Sequence, residues 1–276
     1  MAEEKVILEV QADIGRDYAD PPGIDPHFTL SPLPKGTGSA DFATRFEIRS
    51  QGRTLTEDVY VSHLALLKLY KQYDFQTVLD IGSGAGSVSR ILRFLGKTVT
   101  TVEPLVDPTA DYTRDVLDID FPDQFDCVWA SHVLEHIRNP GLFLDKIFDA
   151  LKPGGVLAIT IPYNDGAVAV NTLLIGHCYK FNDLSLIYQL ICAGFDCRRV
   201  AVKVYGGQVS VILRKAPNGL PRVSHALFGT PPAQGAPGKG TDSLADLPDI
   251  YTYFPFTFTR PGGAGTLHGM NWRFEV

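Results

Sequence analysis

The hydrophobic rhythm of the chain changes at two points and divides it into three zones. Residues 1–56 hold one short apolar run, Val6 to Val10, and then a Pro- and Gly-rich stretch from Pro21 to Gly38. The following DFATRFEIRSQGRTLT alternates around Ser50-Gln51-Gly52, which predicts a β-hairpin. In residues 57–215 helical and strand periods take turns. Val61, Leu64, Leu67 and Leu69 recur at near-helical spacing and predict a helix within 57–73. QTVLDIG is an apolar β-branched run closed by glycine, the pattern of a strand buried on both faces. Ser87 to Leu95 reads as helix, Lys97 to Glu103 as strand, and Cys127 to Ala130 as a third buried strand. Asn139 before Pro140 marks a helix start. Leu144, Ile147, Phe148 and Leu151 then share one face, and Pro153-Gly154-Gly155 stops the helix before the strand VLAITIP. Residues 216–276 return to Gly and Pro, with an aromatic run IYTYFPFTF at 250–258.

Strands alternating with helices at this rhythm predict an α/β fold, a mostly parallel sheet with helices on both faces. The division expected is an N-terminal extension over 1–56, a central domain over 57–215 and a C-terminal extension over 216–276. At 276 residues the chain is long enough for one large core with decorations.

Charge narrows the choice of partner. The 25 basic and 31 acidic residues leave a formal charge of -6, with no dense Lys/Arg run to track a phosphate backbone. Nucleic acid is therefore not expected, and a small or neutral ligand fits better. No apolar run reaches the roughly 20 residues of a membrane span, and MAEEKVILEV lacks the basic start of a secretory signal. Cys127, Cys178, Cys192 and Cys197 form no CxxC pair and no metal-ligand spacing with histidine. Buried reduced thiols, no metal and a cytoplasmic location are the expectations.

The chemistry concentrates at the turn after QTVLDIG. Gly82-Ser83-Gly84-Ala85-Gly86 lets the backbone bend sharply and approach a ligand, and the helix that follows presents its N-terminus. Glu103 ends the next strand, 21 positions on (103 minus 82). A carboxylate at that spacing accepts hydrogen bonds from ribose hydroxyls. An adenosine-containing ligand is implied, with a tight turn that binds nothing as the plain alternative. A nicotinamide fingerprint would need glycine at position 87, where this chain has Ser87.

With these residues in view, the sequence resembles the class I S-adenosylmethionine-dependent methyltransferases. VLDIGSGAGS is similar to their first motif, TVEP to their acidic second strand, and Asp115-Val116-Leu117 to their adenine-side acid. FDCVWASHVLEHIRNP and LKPGGVLAITIP resemble their fourth and fifth strand segments. AGFDCRRVAVKVYGGQVSVILRK, two strands across Gly206-Gly207, resembles the antiparallel hairpin that closes their seven-stranded Rossmann-like sheet. The resemblance covers roughly half the chain, with the motifs in family order. It implies S-adenosyl-L-methionine as cofactor. Asp80 would help hold the methionine amino group, and Gly82, Gly84 and Gly86 would line methionine and ribose. Glu103 would take the ribose hydroxyls, Pro104 and Val116 would cover the two adenine faces, and Asp115 would receive the adenine amine, with Asp118 and Asp120 as competing acids. Ala130 or Ser131 would border the sulfonium.

Methyl transfer to a hydroxyl benefits from a group that manages the departing proton, and histidine suits that task near neutral pH. His177, in GHCYKFNDLSLIYQLICAGF, resembles the histidine segment of the ubiquinone-biosynthesis O-methyltransferases. It would contact the acceptor or order a lid loop. His136 would touch substrate or support a helix start, and His132 is a third candidate. Tyr163 at a strand end would orient an acceptor or pack at the surface. The aromatics from Tyr251 to Phe258, with Trp272 and Phe274, would wall the acceptor pocket or form a sheet face or dimer contact. The leading expectation is O-methylation of a small molecule or glycan. An N-methyltransferase, a nicotinamide-dependent oxidoreductase and a silent cofactor-binding protein are the alternatives.

Overall fold

The computed structural model describes residues 18–19, 23, 25–33, 43–121, 124–163, 176–217, 253–254 and 272. The N-terminal zone becomes an antiparallel sheet of β1 (Tyr18–Ala19), β2 (His27–Pro32), β3 (Thr44–Ser50) and β4 (Arg53–Val59), in that order. The β3–β4 hairpin turns at Gln51 and Gly52, both at positive φ, as the sequence predicts. The strand runs further than expected. Glu57, Asp58 and Val59 pair with Phe46, Arg45 and Thr44, because Val59 is buried and Arg45 grips Asp58 with two bonds of 2.8 and 3.0 Å. Helix α1 (His63–Gln72) therefore starts later than 57, and the division at 56 falls inside β4.

A second sheet holds β5 (Thr77–Ile81), β6 (Thr98–Val102), β7 (Phe125–Ser131), β8 (Leu151–Pro162), β9 (Ala201–Tyr205) and β10 (Gln208–Arg214). Its order is β6-β5-β7-β8-β10-β9, with β6, β5, β7 and β8 parallel and β10 antiparallel to both its neighbours. Six strands stand where seven were expected, among the described residues. Beyond β6 only Tyr112 makes a parallel bridge, to Val102. The surrounding DYTRD carries charge at three of five positions, a composition that disfavours a further strand.

Alternation along the central strands sorts the core into two layers. Cys127, Trp129, Val156 and Ala158 join α1, α2 (Ser87–Phe94) and the N-terminal sheet. Val128, Ala130, Leu157 and Ile159 join α3 (Pro140–Ala150) and α4 (Asp183–Cys192). Helix α3 ends at Ala150, so Pro153-Gly154-Gly155 falls within β8, at the register shift where Leu151 pairs with Phe125 and Val156 with Cys127. Of the aromatic run, Tyr253 and Phe254 are described: Phe254 is buried in the α4 layer, 6.3 Å from Tyr188. Trp272 is buried in the opposite layer beside Lys68. Phe274 and the other run positions lie outside the described residues. Cys127 and Cys197 are buried, and burial raises both thiol pKa values. Cys178 is exposed and Cys192 half-buried. Among the described residues no helix is long and apolar enough to cross a membrane.

Candidate active site

Strand order locates the crevice. After β5 the chain moves outward to β6 and returns on the other side as β7, so the order reverses between β5 and β7. In an open α/β sheet ligands bind beyond the strand ends at such a reversal. Both the Gly82–Gly86 bend and the end of β7 at Ala130-Ser131 lie there.

Gly82, Gly84 and Gly86 all take positive φ (68°, 54° and 77°). A Cβ on Gly82 would lie 2.3 Å from the Val133 side chain, so that glycine also admits a close approach of β7's continuation. Gly84 faces open space. Beside it Ser83 Oγ is buried with no hydrogen-bond partner among the described residues. An open bend with an unpartnered hydroxyl fits the nucleoside and amino-acid groups of S-adenosylmethionine.

Glu103 is buried and binds this loop directly. Oε2 accepts from Gly84 N at 2.9 Å, and Oε1 accepts from Leu105 N (2.9 Å) and Val106 N (3.1 Å). A carboxylate has about four acceptor positions, so one remains for a ribose hydroxyl without rearrangement. Pro104 is exposed, as are Leu105 and Val106 at 89% and 64%. This apolar pair after the acid is a candidate adenine cover that the motif comparison passes over. Val116 is buried in the core, and the exposed Asp115 accepts from Leu117 N at 2.9 Å as the cap of a short 3-10 turn. Ala130 is buried, and half-buried Ser131 shares a 2.5 Å hydrogen bond with Ser62.

Asp80 is buried and accepts from Ser89 Oγ. Burial raises its pKa from 3.8 to about 6, opposed by the Ser89 bond and Arg93 and assisted by Glu103. Between those pH values the folded chain binds more protons than the unfolded chain, so stability falls as pH rises. The fall totals roughly 3 kcal/mol and is complete above about pH 6. Urea unfolding of Asp80→Asn is expected to lack this slope; an unchanged slope would assign it to another group.

The N-terminal sheet reaches the bend through an ion pair. Arg90 of α2 meets Glu57 of β4 at 2.5 and 2.9 Å, while its Nη1 donates to Ala85 O at 2.6 Å. Glu57→Ala is expected to weaken cofactor binding several-fold by freeing this clamp, about 1 kcal/mol for a charge-assisted pair that is partly exposed. Calorimetric titration showing wild-type affinity would remove the N-terminal sheet from cofactor binding.

A second polar group gathers beyond the ends of β7, β8 and β10. Ser62 and His132, both non-glycine residues at positive φ (64° and 55°), point at Gln208. Gln208 Oε1 lies 3.0 Å from Ser62 N, a donor, and 3.1 Å from His132 Nε2. Such backbone costs about 1–3 kcal/mol per residue and persists where the surroundings enforce it. His136 Nδ1 is 3.2 Å from Gly176 O, and the His136 and His177 rings meet edge to face at 4.8 Å. Burial lowers the His177 pKa, with Glu135 opposing and His136 assisting. Tyr163 bridges to Phe181 and donates its N–H to Gly207 O at 2.9 Å. Glu135 and Gln208 are the site residues that sequence reasoning misses. The signal for Glu135 is its place within LEHIRNP, directly before His136. A separate pocket of about 760 Å³, lined by Tyr73, Asp196, Arg198, Arg199 and Arg214, lies at the opposite end of the sheet. It is remote from the glycine bend.

A mostly parallel sheet with a glycine bend and a strand-end carboxylate at its reversal point defines a Rossmann-like fold with a candidate nucleoside site. Residues 54–198 match the methyltransferase domain family, and the chain belongs to that family. It is 37% identical over 95 residues to the ubiquinone biosynthesis O-methyltransferase of Nitrobacter winogradskyi, covering 29% of this chain and 36% of that protein. It is 35% identical over 98 residues to the 2-methyl-6-phytyl-1,4-hydroquinone methyltransferase of Synechocystis, covering 30% and 31%. The matches span about a third of the length of these curated relatives. A similar solved structure is the 1,6-didemethyltoxoflavin-N1-methyltransferase of Burkholderia thailandensis with S-adenosylhomocysteine. It has a TM-score of 0.46 at 21% identity, over 55% of this chain and 76% of that one.

Proposed function

We propose that this chain transfers a methyl group from S-adenosylmethionine to an oxygen of a small-molecule acceptor. The observation that carries the reading is the buried Glu103 carboxylate bonded to the open bend at Gly84, at the reversal point of the sheet. Membership of the methyltransferase domain family supports it, as do relatives named for O-methylation.

When bound, S-adenosylmethionine supplies a sulfonium methyl that needs alignment more than activation. Asp80 would offer a carboxylate to its ammonium group, Glu103 would accept from the ribose, and Pro104, Leu105 and Val116 would flank the adenine beside Asp115. Gly82, Gly84 and Gly86 keep side chains out of the bend, and Ala130 and Ser131 would border the sulfur. His136 and His177 face the acceptor oxygen and ease the loss of its proton. Holding the reacting atoms about 3–3.5 Å apart contributes several kcal/mol to the rate. The test is paired titration with S-adenosylhomocysteine and NAD. Micromolar binding of the first and none of the second is expected; the reverse would overturn the reading.

A further inference from the structure

The cavity at the far end of the sheet has walls rich in cations. It opens near the start of β8, where Val156 pairs with Arg214, and Arg198, Arg199 and Arg214 line it with Tyr73 and Asp196. Three arginines and one aspartate leave a local charge of +2 (3 minus 1) on a chain whose formal charge is -6. Arg198 and Arg199 sit in the turn that leads into β9, closed by Val200 N donating to Cys197 O at 3.1 Å.

Two of the guanidiniums are held in place by the protein itself. Arg198 donates to Asp196, Nε to Oδ1 at 2.9 Å and Nη2 to Oδ2 at 2.5 Å, and lies over the Tyr253 ring at 5.4 Å. Arg214 Nη1 donates to Gly154 O at 3.0 Å, and its guanidinium lies over the Tyr73 ring at 5.4 Å. Nη1 of Arg198 and Nη2 of Arg214 keep their donors unused among the described residues. Arg199 and the Tyr73 hydroxyl make no hydrogen bond among those residues. Exposed arginines are ordinary. Anchored ones differ, because they lose less side-chain entropy when a ligand arrives.

We propose that this cavity binds the phosphate group of a small organic monoester, at a site separate from the cofactor crevice. A phosphomonoester carries a charge of about -1.5 to -2 near neutral pH, which matches the walls. Its oxygens accept several hydrogen bonds at once, and planar guanidinium forks suit that geometry. A carboxylate brings one charge and two oxygens. Burial raises the Tyr73 phenol pKa, with Arg214 opposing, so the hydroxyl keeps its proton and can donate. The cavity holds about 760 Å³, more than a bare phosphate fills and within the usual range for organic ligands. Leu213 and Ala216 offer the organic part an apolar wall. The site does not depend on the methyltransferase reading.

The experiment titrates the full chain, in phosphate-free buffer, with phenyl phosphate, inorganic phosphate and benzoate by calorimetry. One phenyl phosphate site is expected, with weaker binding of the other two. Arg199→Ala and Arg214→Ala should each weaken it by about tenfold or more, since each removes hydrogen bonds to a charged group. Both side chains are exposed, so thermal melts and S-adenosylhomocysteine affinity should match the wild type. Added salt should weaken phenyl phosphate binding by screening. No phenyl phosphate site, unaltered binding in both variants, or displacement by S-adenosylhomocysteine would each overturn the proposal. Benzoate bound as tightly would overturn the choice of phosphate, and inorganic phosphate bound as tightly would overturn the ester. Phenyl phosphate binding in a chain that takes no S-adenosylhomocysteine supports this site and overturns the cofactor reading alone.

Discussion

Replacing His177 by alanine is expected to lower kcat for methyl transfer by about 10²–10⁴-fold while S-adenosylhomocysteine binds as it does to the wild type. The separation follows from position. His177 meets His136 and lies near Glu135, beyond the ends of β7 and β8, whereas the glycine bend and Glu103 sit at the β5–β6 edge. Loss of a group that manages the acceptor's proton leaves the cofactor grip unaffected. The measurement is single-turnover methyl transfer with a competent acceptor, beside calorimetric titration of S-adenosylhomocysteine. Retained turnover would remove His177 from the chemistry. Reduced cofactor affinity would instead mean that the loop after β8 organises both halves of the crevice.

Glu103→Ala acts on the other half. Its carboxylate holds the N–H groups of Gly84, Leu105 and Val106 and has one acceptor position left. On the proposed reading, deleting it removes the ribose acceptor and releases the bend beside the ribose. Hydrogen bonds to charged groups are worth about 1.5–3 kcal/mol each, so S-adenosylhomocysteine affinity should fall by about 100-fold or more. A modest drop in melting temperature should accompany it, since three backbone donors lose their partner. An unchanged dissociation constant would show that the ribose binds elsewhere. Glu103→Gln separates the two effects: it can still accept from the ribose, and it loses charge assistance.

How much of this was legible before folding differs by element. The buried strand at 77–81, the strand at 98–102 and the bend after the first were readable, because an apolar run closed by glycine and a β-branched run are local signals and the Gly82-to-Glu103 spacing is counted along the chain. The start of α1 was misread. Glu57 to Val59 carry a pattern that a helix would also accept, and only pairing with Thr44 to Phe46 makes them strand. A seventh strand is absent among the described residues for the opposite reason: the resemblance implied it, yet the charged segment around Tyr112 sustains a single bridge. The motif likewise does not record that the Asp115 carboxylate caps a 3-10 turn.

Residue order by itself determined the sequence of most helices and strands and the place of the glycine bend after β5, since both depend on neighbours a few positions apart. Only the tertiary structure decided that Glu135 would be buried among His132, His136 and His177. Those groups come from the turn after β7 and from a loop 41 positions further on (177 minus 136), and they meet because β8 lies beside β7 and β10 beside β8. Strand order in a sheet is a long-range choice made by packing two apolar layers, and no local period records it.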